Sequence, residues 1–369
     1  MKSVNDYLRG FNYCPIPLSN TGVVGALSLK GIVGIDWLQV SFWGCPIKSD
    51  FVTFKLLPYS TKIFKKVADV FYYGELIGNM TFEPISPIIP AGTLIFKFDN
   101  SVLYKYDCVK MIGIVGRGLG LMYKGITRID LFSDFSRFAN NLNPASLISG
   151  FLSSKYLKVN NSKFDVRGKN SDIIKFDYMK FGANTSDVCC YLYNKSVEMQ
   201  EVKFKPYILE RWKSLNLDVS NDIWRLEFSI KKCNYEVISK ISGEVNIMSM
   251  EFFDLYKNIY DLYFSLVFKY FRFVHNDGNA KKNRNRDVEL FRYDYEPLKL
   301  IETTYALNSK RANKIFAKHL HLYNLSLKGS SILGDIDRYN VLMDYLKLHD
   351  LVSWYNAKIK DIEVIPVVI

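Results

Sequence analysis

The segment NDIWRLEFSIKK, residues 221–232, alternates apolar and polar side chains. A period of two predicts a β-strand with one buried face and one accessible face. The apolar face contains Trp224, Leu226, Phe228 and Ile230, and the other face contains Arg225, Glu227, Ser229 and Lys231. The strand therefore places a cation and a carboxylate side by side on the face that is free for chemistry.

Further strands are predicted on the N-terminal side of this segment. They are GIVGIDWLQVSFWG (31–44), GITRIDLFSDF (125–135) and the two halves of IIKFDYMKFGANTSDVCCYLYNK (173–195), which form a hairpin. Runs of β-branched and aromatic residues between turn residues are typical of strands, and short alternating runs over 45–110 indicate an antiparallel meander. We therefore predict an α+β fold with a mainly antiparallel central sheet and flanking helices.

Helices are predicted at three places. Residues 250–274 repeat apolar side chains three and four positions apart, and residues 143–159 begin with Asn143 as an N-cap and Pro144 in the first turn. A third helix is expected within residues 59–74. The glycines of residues 113–125 favour a glycine-rich hairpin over a phosphate-binding loop, because the GxGxxG spacing is incomplete.

A polar and basic segment divides the chain. Residues 276–287 are rich in asparagine, lysine and arginine, which is typical of a linker. We predict a catalytic domain over residues 1–275, a basic linker over 276–287 and a small helical domain over 288–369. Basic side chains of the C-terminal part could bind DNA phosphates, although a solvated charged face explains them nearly as well.

The charge balance favours a polyanionic partner. Lys and Arg number 49 against 37 Asp and Glu, a net charge of +12, which favours nucleic acid first and an anionic membrane second. No apolar run reaches the roughly 18 residues that a membrane span needs, and the N-terminus lacks the apolar core of a signal peptide. The six cysteines have no CxxC spacing, which argues against a zinc site and a disulfide framework. We expect a cytoplasmic protein.

Three short segments carry polar groups that could meet on one face of the sheet. Each contributes a pair two residues apart: Arg128 and Asp130, Tyr193 and Lys195, Arg225 and Glu227. Carboxylates bind a hard cation such as Mg²⁺ or Mn²⁺, which neutralises a scissile phosphate. A neighbouring cation favours the phenolate form of a tyrosine, and Arg or Lys side chains bind phosphate oxygens. The combined patch suits a phosphodiester transesterification.

The same residues also allow simpler interpretations. Tyrosine occurs 25 times, so any one of these rings is by default a packing or stacking group. An Arg-x-Asp or Arg-x-Glu pair on a strand is also typical of a cross-strand salt bridge. Composition and spacing alone leave both interpretations open.

Four motifs together resemble the series found in rolling-circle replication initiators of the Rep_trans type. They are GIDWLQVSF (34–42), TRIDL (127–131), FGANTSDVCCYLYNKSVE (181–198) and WRLEFSIKK (224–232). The resemblance covers roughly residues 31–275, with the motifs in the expected order. Initiators of plasmids and phages belong to this family, as do relaxases of some conjugative elements.

The resemblance implies a site-specific DNA endonuclease and strand transferase. Such an enzyme nicks one strand at a replication origin, forms a 5′-phosphotyrosine and leaves a free 3′-hydroxyl. Matching the motifs makes Tyr193 the nucleophile, with Lys195 beside it. Tyr191 stands where the family often has arginine, and it lies on the same strand face, so it remains an alternative nucleophile.

The remaining motif positions imply a metal site and its cations. Asp130 and Glu227 are the implied ligands of Mg²⁺ or Mn²⁺, and Asp36 in the first motif is a further candidate. The motif arginines are Arg128 and Arg225.

The implied partner is single-stranded or cruciform origin DNA. A host helicase, a host polymerase and a second copy of the chain are further expected partners. A catalytically inactive DNA-binding regulator with the same fold is the alternative function. His319 and His321 have the His-x-His spacing of another class of rolling-circle nucleases, but their surroundings favour a helix, on which the two side chains face different directions.

Overall fold

The computed structural model describes residues 31–86, 89–160, 162–170, 174–214, 217–231, 235–239, 243–246, 259–291 and 299–302. Within these residues the chain forms fifteen strands and six α-helices. Ten of the strands build one sheet in which every neighbouring pair is antiparallel. The predicted α+β class with a mainly antiparallel central sheet is therefore confirmed.

The strands of the large sheet are β1 (Gly31–Trp43), β2 (Val52–Leu56), β3 (Phe64–Tyr72), β4 (Glu75–Pro84), β5 (Thr93–Phe98), β6 (Met122–Phe135), β8 (Phe164–Asn170), β9 (Ile174–Phe181), β10 (Val188–Asn194) and β11 (Trp224–Ile230). Strands β7 (Tyr156–Lys158) and β14 (Phe273–His275) pair with each other. Strands β12 (Tyr235–Ser239), β13 (Gly243–Asn246) and β15 (Lys299–Glu302) form a three-stranded sheet.

The helices are α1 (Asn100–Lys105), α2 (Cys108–Leu119), α3 (Pro144–Leu152), α4 (Lys195–Glu201), α5 (Pro206–Ser214) and α6 (Ile259–Tyr270). Within the described residues, no helix is both long enough and apolar enough to span a membrane.

The large sheet consists of two halves that meet at its two longest strands. Its order is β2-β3-β4-β5-β1-β6-β11-β10-β9-β8. In one half β1 is followed by β2 to β5, and β5 pairs with β1. In the other half β6 is followed by β8 to β11, and β11 pairs with β6. The antiparallel β1–β6 pair, from Gly31 opposite Phe135 to Trp43 opposite Met122, joins the halves.

The apolar face of the sheet carries the main core. Leu38 and Leu131 of the central strands belong to the same buried cluster as Val115 of α2, Ile148 of α3 and Leu266 of α6. Burial of such aliphatic side chains provides most of the stabilising free energy of a fold of this kind. A second, smaller cluster forms where α4 and α5 pack around Phe132, and its other members are Met199, Ile208, Trp212, Leu217 and Ile223. These two helices therefore lie against the opposite, polar face.

The glycine-rich segment at 113–125 is not a hairpin. Its first part continues helix α2, which begins after the N-cap Asp107 and ends at Gly120 in the left-handed conformation. Gly118 lets the helix approach β2 closely, because a Cβ at this position would lie only 2.4 Å from Cγ2 of Val52. The hairpin prediction was wrong because glycine at position 118 serves the close packing of a helix against a strand.

Other local predictions need adjustment. The helix expected within residues 59–74 is strand β3. The helix from Asn143, which caps α3 by accepting a hydrogen bond from the backbone N–H of Ala145, ends at Leu152 and is followed by β7. Of the helix expected at 250–274, residues 250–258 lie outside the described residues, and the remaining part contains α6 and the start of β14.

The predicted linker over 276–287 forms a closed loop. The backbone N–H of His275 donates to the carbonyl of Arg286 at 2.8 Å, and that of Asn276 donates to the carbonyl of Lys155 at 3.0 Å. A 3-10 turn occupies Lys282–Arg284 within the loop. Most of the predicted C-terminal domain, including His319 and His321, lies outside the described residues, so the three-part division stays a prediction.

Candidate functional site

The chemical groups of the site lie on the polar face of strands β6, β11 and β10. In this part of the sheet Arg225 stands opposite Asp134 on one side and Tyr193 on the other. Glu227 stands between Phe132 and Tyr191. Because side chains two residues apart share a face, Asp130, Arg225, Glu227 and Tyr193 are brought together.

Tyr193 and Glu227 form the central contact of the site. The phenolic Oη of Tyr193 donates a hydrogen bond to Oε2 of Glu227 at 2.9 Å. Both side chains are partly buried. The two residues are diagonal neighbours across the β10–β11 pair, a spacing that a tyrosine side chain can bridge. The hydroxyl of Tyr193 is therefore aimed at a carboxylate and not into the apolar core.

The electrostatics of this pair favour the protonated forms. Burial and the nearby negative charges of Asp36 and Asp130 raise the pKa of Glu227 from 4.5 to about 8. Burial and the carboxyl of Glu227 raise the pKa of Tyr193 well above its ordinary value of 10.0. Both groups therefore keep their protons to a higher pH than usual. Tyr193 can transfer its proton to Glu227 only when Glu227 is ionised.

Arg225 supports the site from within the protein. Its side chain is fully buried, and its Nε and Nη2 donate to the two carboxylate oxygens of Asp134 at 2.6 and 2.7 Å. Its Nη1 pairs with the carboxylate of Asp36, and Nη2 also donates to Oη of Tyr104 at 2.9 Å. The guanidinium carbon lies 3.7 Å from the ring centroid of Phe132. A guanidinium held in this way organises its neighbours and does not face solvent.

Asp36 reaches the polar face through an irregularity in strand β1. Ile35 pairs with Leu131 and Trp37 pairs with Asp130, so Asp36 is the extra residue of a β-bulge. Its carboxylate accepts a hydrogen bond from Tyr104 at 3.1 Å in addition to its contact with Arg225. Burial would raise the pKa of Asp36, but the charges of Arg225 and of nearby lysines hold that pKa well below its ordinary value.

Asp130 is paired within its own strand. Nε and Nη2 of Arg128 donate to its two oxygens at 3.0 and 2.6 Å. Burial raises the pKa of Asp130, and the charge of Asp36 adds to that shift, although Arg128 opposes it. The side chain of Arg128 is 28% exposed, against 2% for Lys195 and 0% for Arg225, so it is the predicted cation that a phosphate can reach.

Lys195 is not on strand β10, as its spacing from Tyr193 had suggested. The strand ends at Asn194, whose side chain accepts a hydrogen bond from the backbone N–H of Val197 and caps helix α4. The Nζ of Lys195 lies 2.6 Å from Oε2 of Glu198 and 5.4 Å from the ring centroid of Tyr193. Burial and the charge of Arg225 lower the pKa of Lys195. Its ammonium is thus an internal neighbour of the tyrosine ring.

Tyr191 lies on the same face but is engaged differently. It stands directly opposite Glu227 in the strand register, and Nζ of Lys180 lies 5.5 Å from its ring centroid. Burial and the neighbouring Cys189 raise the pKa of Tyr191 above its ordinary value of 10.0. The hydrogen bond from Tyr193 to Glu227 distinguishes the two tyrosines.

The similarity of this chain to known proteins is limited. No protein-family model matches it. No curated protein matches it either. Among solved structures, it is similar to a rolling-circle replication initiator protein from Geobacillus stearothermophilus, with 12% identity, a TM-score of 0.43, and coverage of 70% of this chain and 93% of that chain. The residues of the site are therefore interpreted from their own geometry.

The predicted metal ligands do not all converge. Within the part of the chain that the structure describes, no group of three or more His, Cys, Asp or Glu side chains is placed to hold an ion. Asp36 is committed to Arg225 and Tyr104, which removes it as a third ligand in this arrangement. Asp130 and Glu227 remain as two carboxylates on the same face whose pKa values are raised chiefly by burial, and both oxygens of Asp130 accept hydrogen bonds from Arg128.

Two supporting residues were missed by the sequence interpretation. Asp134 binds Arg225 and also accepts a hydrogen bond from Nε1 of Trp212 at 2.8 Å. It is a lone acid in an apolar run, so the signal that singled out Asp36 and Asp130 was present there too. Tyr104 lies on the short helix α1, and no pattern in the sequence linked it to the site.

Proposed function

We propose that this protein is a replication initiator that nicks one DNA strand at an origin through a tyrosine nucleophile. The observation that carries the proposal is the hydrogen bond from Tyr193 to Glu227 on the polar face of the sheet. A phenol beside a carboxylate with a pKa near 8 has a proton acceptor in place. The motif series around these residues and the net charge of +12 also support a nucleic-acid substrate.

The proposed reaction is a transesterification at phosphorus. Oη of Tyr193 attacks the scissile phosphate as its proton passes to the ionised carboxylate of Glu227. The bond from phosphorus to the 3′-oxygen breaks, that oxygen takes a proton from a water molecule, and the proton held by Glu227 is returned to that water, so no proton is gained or lost. The 5′-phosphate is then linked to Tyr193, and the free 3′-hydroxyl serves as a primer for polymerase. No net water is consumed, which keeps the energy of the phosphodiester available for rejoining.

The buried residues around the pair position it. Arg225 fixes Asp36 and Asp134 beneath the site, and Lys195 lies next to the ring of the nucleophile. Of Arg128, Lys195 and Arg225, Arg128 has the most exposed side chain, so we assign it to the phosphate of the bound strand. We therefore propose positioning roles for Arg225 and Lys195, in place of the direct phosphate contact expected from the sequence.

Asp130 and Glu227 suit a divalent cation by their chemistry. Both supply carboxylate oxygens, which Mg²⁺ and Mn²⁺ prefer, and strand pairing places both side chains on the same face of the sheet. Such an ion, when bound, would neutralise charge on the scissile phosphate. The expected partner is single-stranded or cruciform origin DNA, and contacts with a helicase, a polymerase or a second copy stay predictions.

Mass spectrometry of the intact chain tests the proposal. The protein is incubated with Mn²⁺ and a pool of single-stranded oligonucleotides of random sequence. We expect a covalent nucleotide adduct whose peptide contains Tyr193. The Tyr193→Phe variant should form no adduct, and the matched Tyr191→Phe variant should still form it. DNA binding without any adduct in the unaltered chain would favour the catalytically inactive regulator.

A further inference from the structure

A cavity of about 260 Å³ opens beside the site, on the β3–β4–β5 side of the sheet. The residues of its lining that matter here are Asp36, Trp37, Asp69, Asn79, Lys97 and Lys205. Asp36 also contacts Arg225, so the cavity and the site share a wall. Its volume is slightly below the roughly 300 Å³ at which pockets for drug-sized ligands begin, so it suits a ligand as small as one nucleoside.

Two polar side chains in the cavity have unused hydrogen-bonding capacity. Asp69 of β3 and Asn79 of β4 stand directly opposite each other in the strand register. Neither forms a side-chain hydrogen bond or ion pair with any residue that the structure describes. A carboxylate and an amide side by side offer acceptors and a donor to a planar polar ligand.

Lys97 at the cavity and Arg128, which we assign to the scissile phosphate, both contact the ring of Trp37. Nζ of Lys97 lies 3.7 Å from the ring centroid of Trp37, and the guanidinium carbon of Arg128 lies 4.1 Å from it. Burial and the charge of Arg128 lower the pKa of Lys97, so these two cations repel each other. An anion that contacts Lys97 would offset that repulsion.

One row of polar residues connects the cavity with Arg128. Strand pairing places Asp69 next to Asn79, Asn79 next to Lys97, Lys97 next to Gln39 and Gln39 next to Arg128. Neighbouring strands in a sheet lie about 4.8 Å apart, so the row is about 19 Å long. A strand of DNA that reaches Arg128 can therefore extend one to three nucleotides along it.

We propose that the cavity binds one unstacked nucleotide of the substrate strand, with its phosphate at Lys97 and its base at Asp69 and Asn79. This inference rests on the proposed function and names the part of the substrate that is read. Asp69 would repel a phosphate, so its suitable partner is an N–H donor on a base edge. Guanine fits this partner best, because its ring N–H and its exocyclic amino group lie side by side and can donate to both carboxylate oxygens of Asp69, whereas thymine offers only a ring N–H and adenine and cytosine offer only an amino group.

Selection from a random pool tests the inference. The full chain is mixed with single-stranded oligonucleotides of random sequence in the presence of EDTA, and the bound fraction is sequenced. We expect one position at which guanine is enriched. Asp69→Asn and Asn79→Ala should each reduce that enrichment by roughly five- to a hundredfold, the range that one good base contact supplies, and leave the other positions unchanged.

Asp165→Asn is the matched control, because Asp165 is a half-exposed acid on the far edge strand β8 and is paired with Arg167. It should leave the profile unchanged. Three results would overturn the inference: no position that enriches guanine, a profile that neither cavity variant alters, or the same alteration in Asp165→Asn. Thermal melting of each variant verifies that it is folded.

The adduct assay separates this inference from the proposed function. If an adduct forms at Tyr193 but neither cavity variant changes base preference, the inference fails and the proposed function stands. If the cavity variants change base preference but the unaltered chain forms no adduct, the inference stands and the proposed function fails, because the protein then recognises DNA without cleaving it.

Discussion

Arg225 and Asp134 form a two-point ion pair across the β6–β11 strands, with both side chains almost wholly buried. The pair is the structural base of the site, since Arg225 also holds Asp36. Removing Asp134 takes away the carboxylate that accepts from Nε and Nη2 of the buried Arg225 and leaves Asp36 as its remaining carboxylate partner among the described residues. That situation costs more free energy than the loss of an exposed pair.

Asp134→Asn should therefore lower the free energy of unfolding by about 3–5 kcal/mol, measured by urea denaturation. Asp287→Asn is a matched control, because Asp287 forms a similar two-point pair with Arg272 but is 56% exposed. Its cost should be less than about 1 kcal/mol. Equal costs in the two variants would show that the Arg225 pair is not stabilised by its buried setting.

The sequence was sufficient to predict the shared polar face, because a period of two assigns each strand residue to a side. Arg225, Glu227 and Tyr193 were placed in this way. The period of two could not predict where the side chain of Asp36 lies, because the β-bulge at Asp36 arises from the pairing of two strands distant in the chain. Lys195 was misplaced because the strand was extended past Asn194, although asparagine is a preferred N-cap and was a signal for the start of a helix.

Substitutions at two glycines of helix α2 test whether close packing against β2 explains the glycine that the hairpin prediction misinterpreted. Gly118→Ala should destabilise the protein by roughly 1–3 kcal/mol, because the new Cβ would collide with Val52. Gly113→Ala in the same helix meets only the flexible side chain of Arg117, at 3.5 Å. It should stabilise the protein by about 0.5–1 kcal/mol through helix propensity. Thermal or urea denaturation measures both, and shifts of the same sign would contradict the packing explanation.

The raised pKa of Glu227 makes the stability of the protein depend on pH. The folded protein keeps a proton on Glu227 up to about pH 8, whereas the unfolded chain releases it near 4.5. The contribution is fully present below pH 4.5 and is lost as the pH rises to about 8. Glu227→Gln should remove this loss, which is at most ~1.4 kcal/mol per pH unit for one group. Urea denaturation at several pH values measures the difference, and parallel curves for the two proteins would contradict the assignment.

Metal dependence follows from the pair of carboxylates. Adduct formation should stop in EDTA and return with Mn²⁺ or Mg²⁺. Asp130→Asn should raise the Mn²⁺ concentration for half-maximal adduct formation at least about tenfold, and calorimetry should show the same weakening of Mn²⁺ binding. Asp165→Asn serves as the control for loss of one negative charge elsewhere on the sheet and should change neither value. Undiminished Mn²⁺ binding by Asp130→Asn would remove Asp130 from the ligand set.

The proton acceptor role of Glu227 can be separated from its effect on folding. If the ionised carboxylate receives the proton of Tyr193, the rate of adduct formation should rise with pH through the pKa of Glu227, which a bound cation would lower from the value of about 8 in the metal-free protein. Glu227→Gln retains an oxygen that can accept the hydrogen bond from Tyr193 but cannot take the proton. We expect its rate to fall roughly 10²–10⁴-fold and to lose that pH dependence, with DNA binding unchanged in fluorescence anisotropy. A rate that keeps the same midpoint in the glutamine variant would assign the titration to another group and leave Tyr193 without its acceptor.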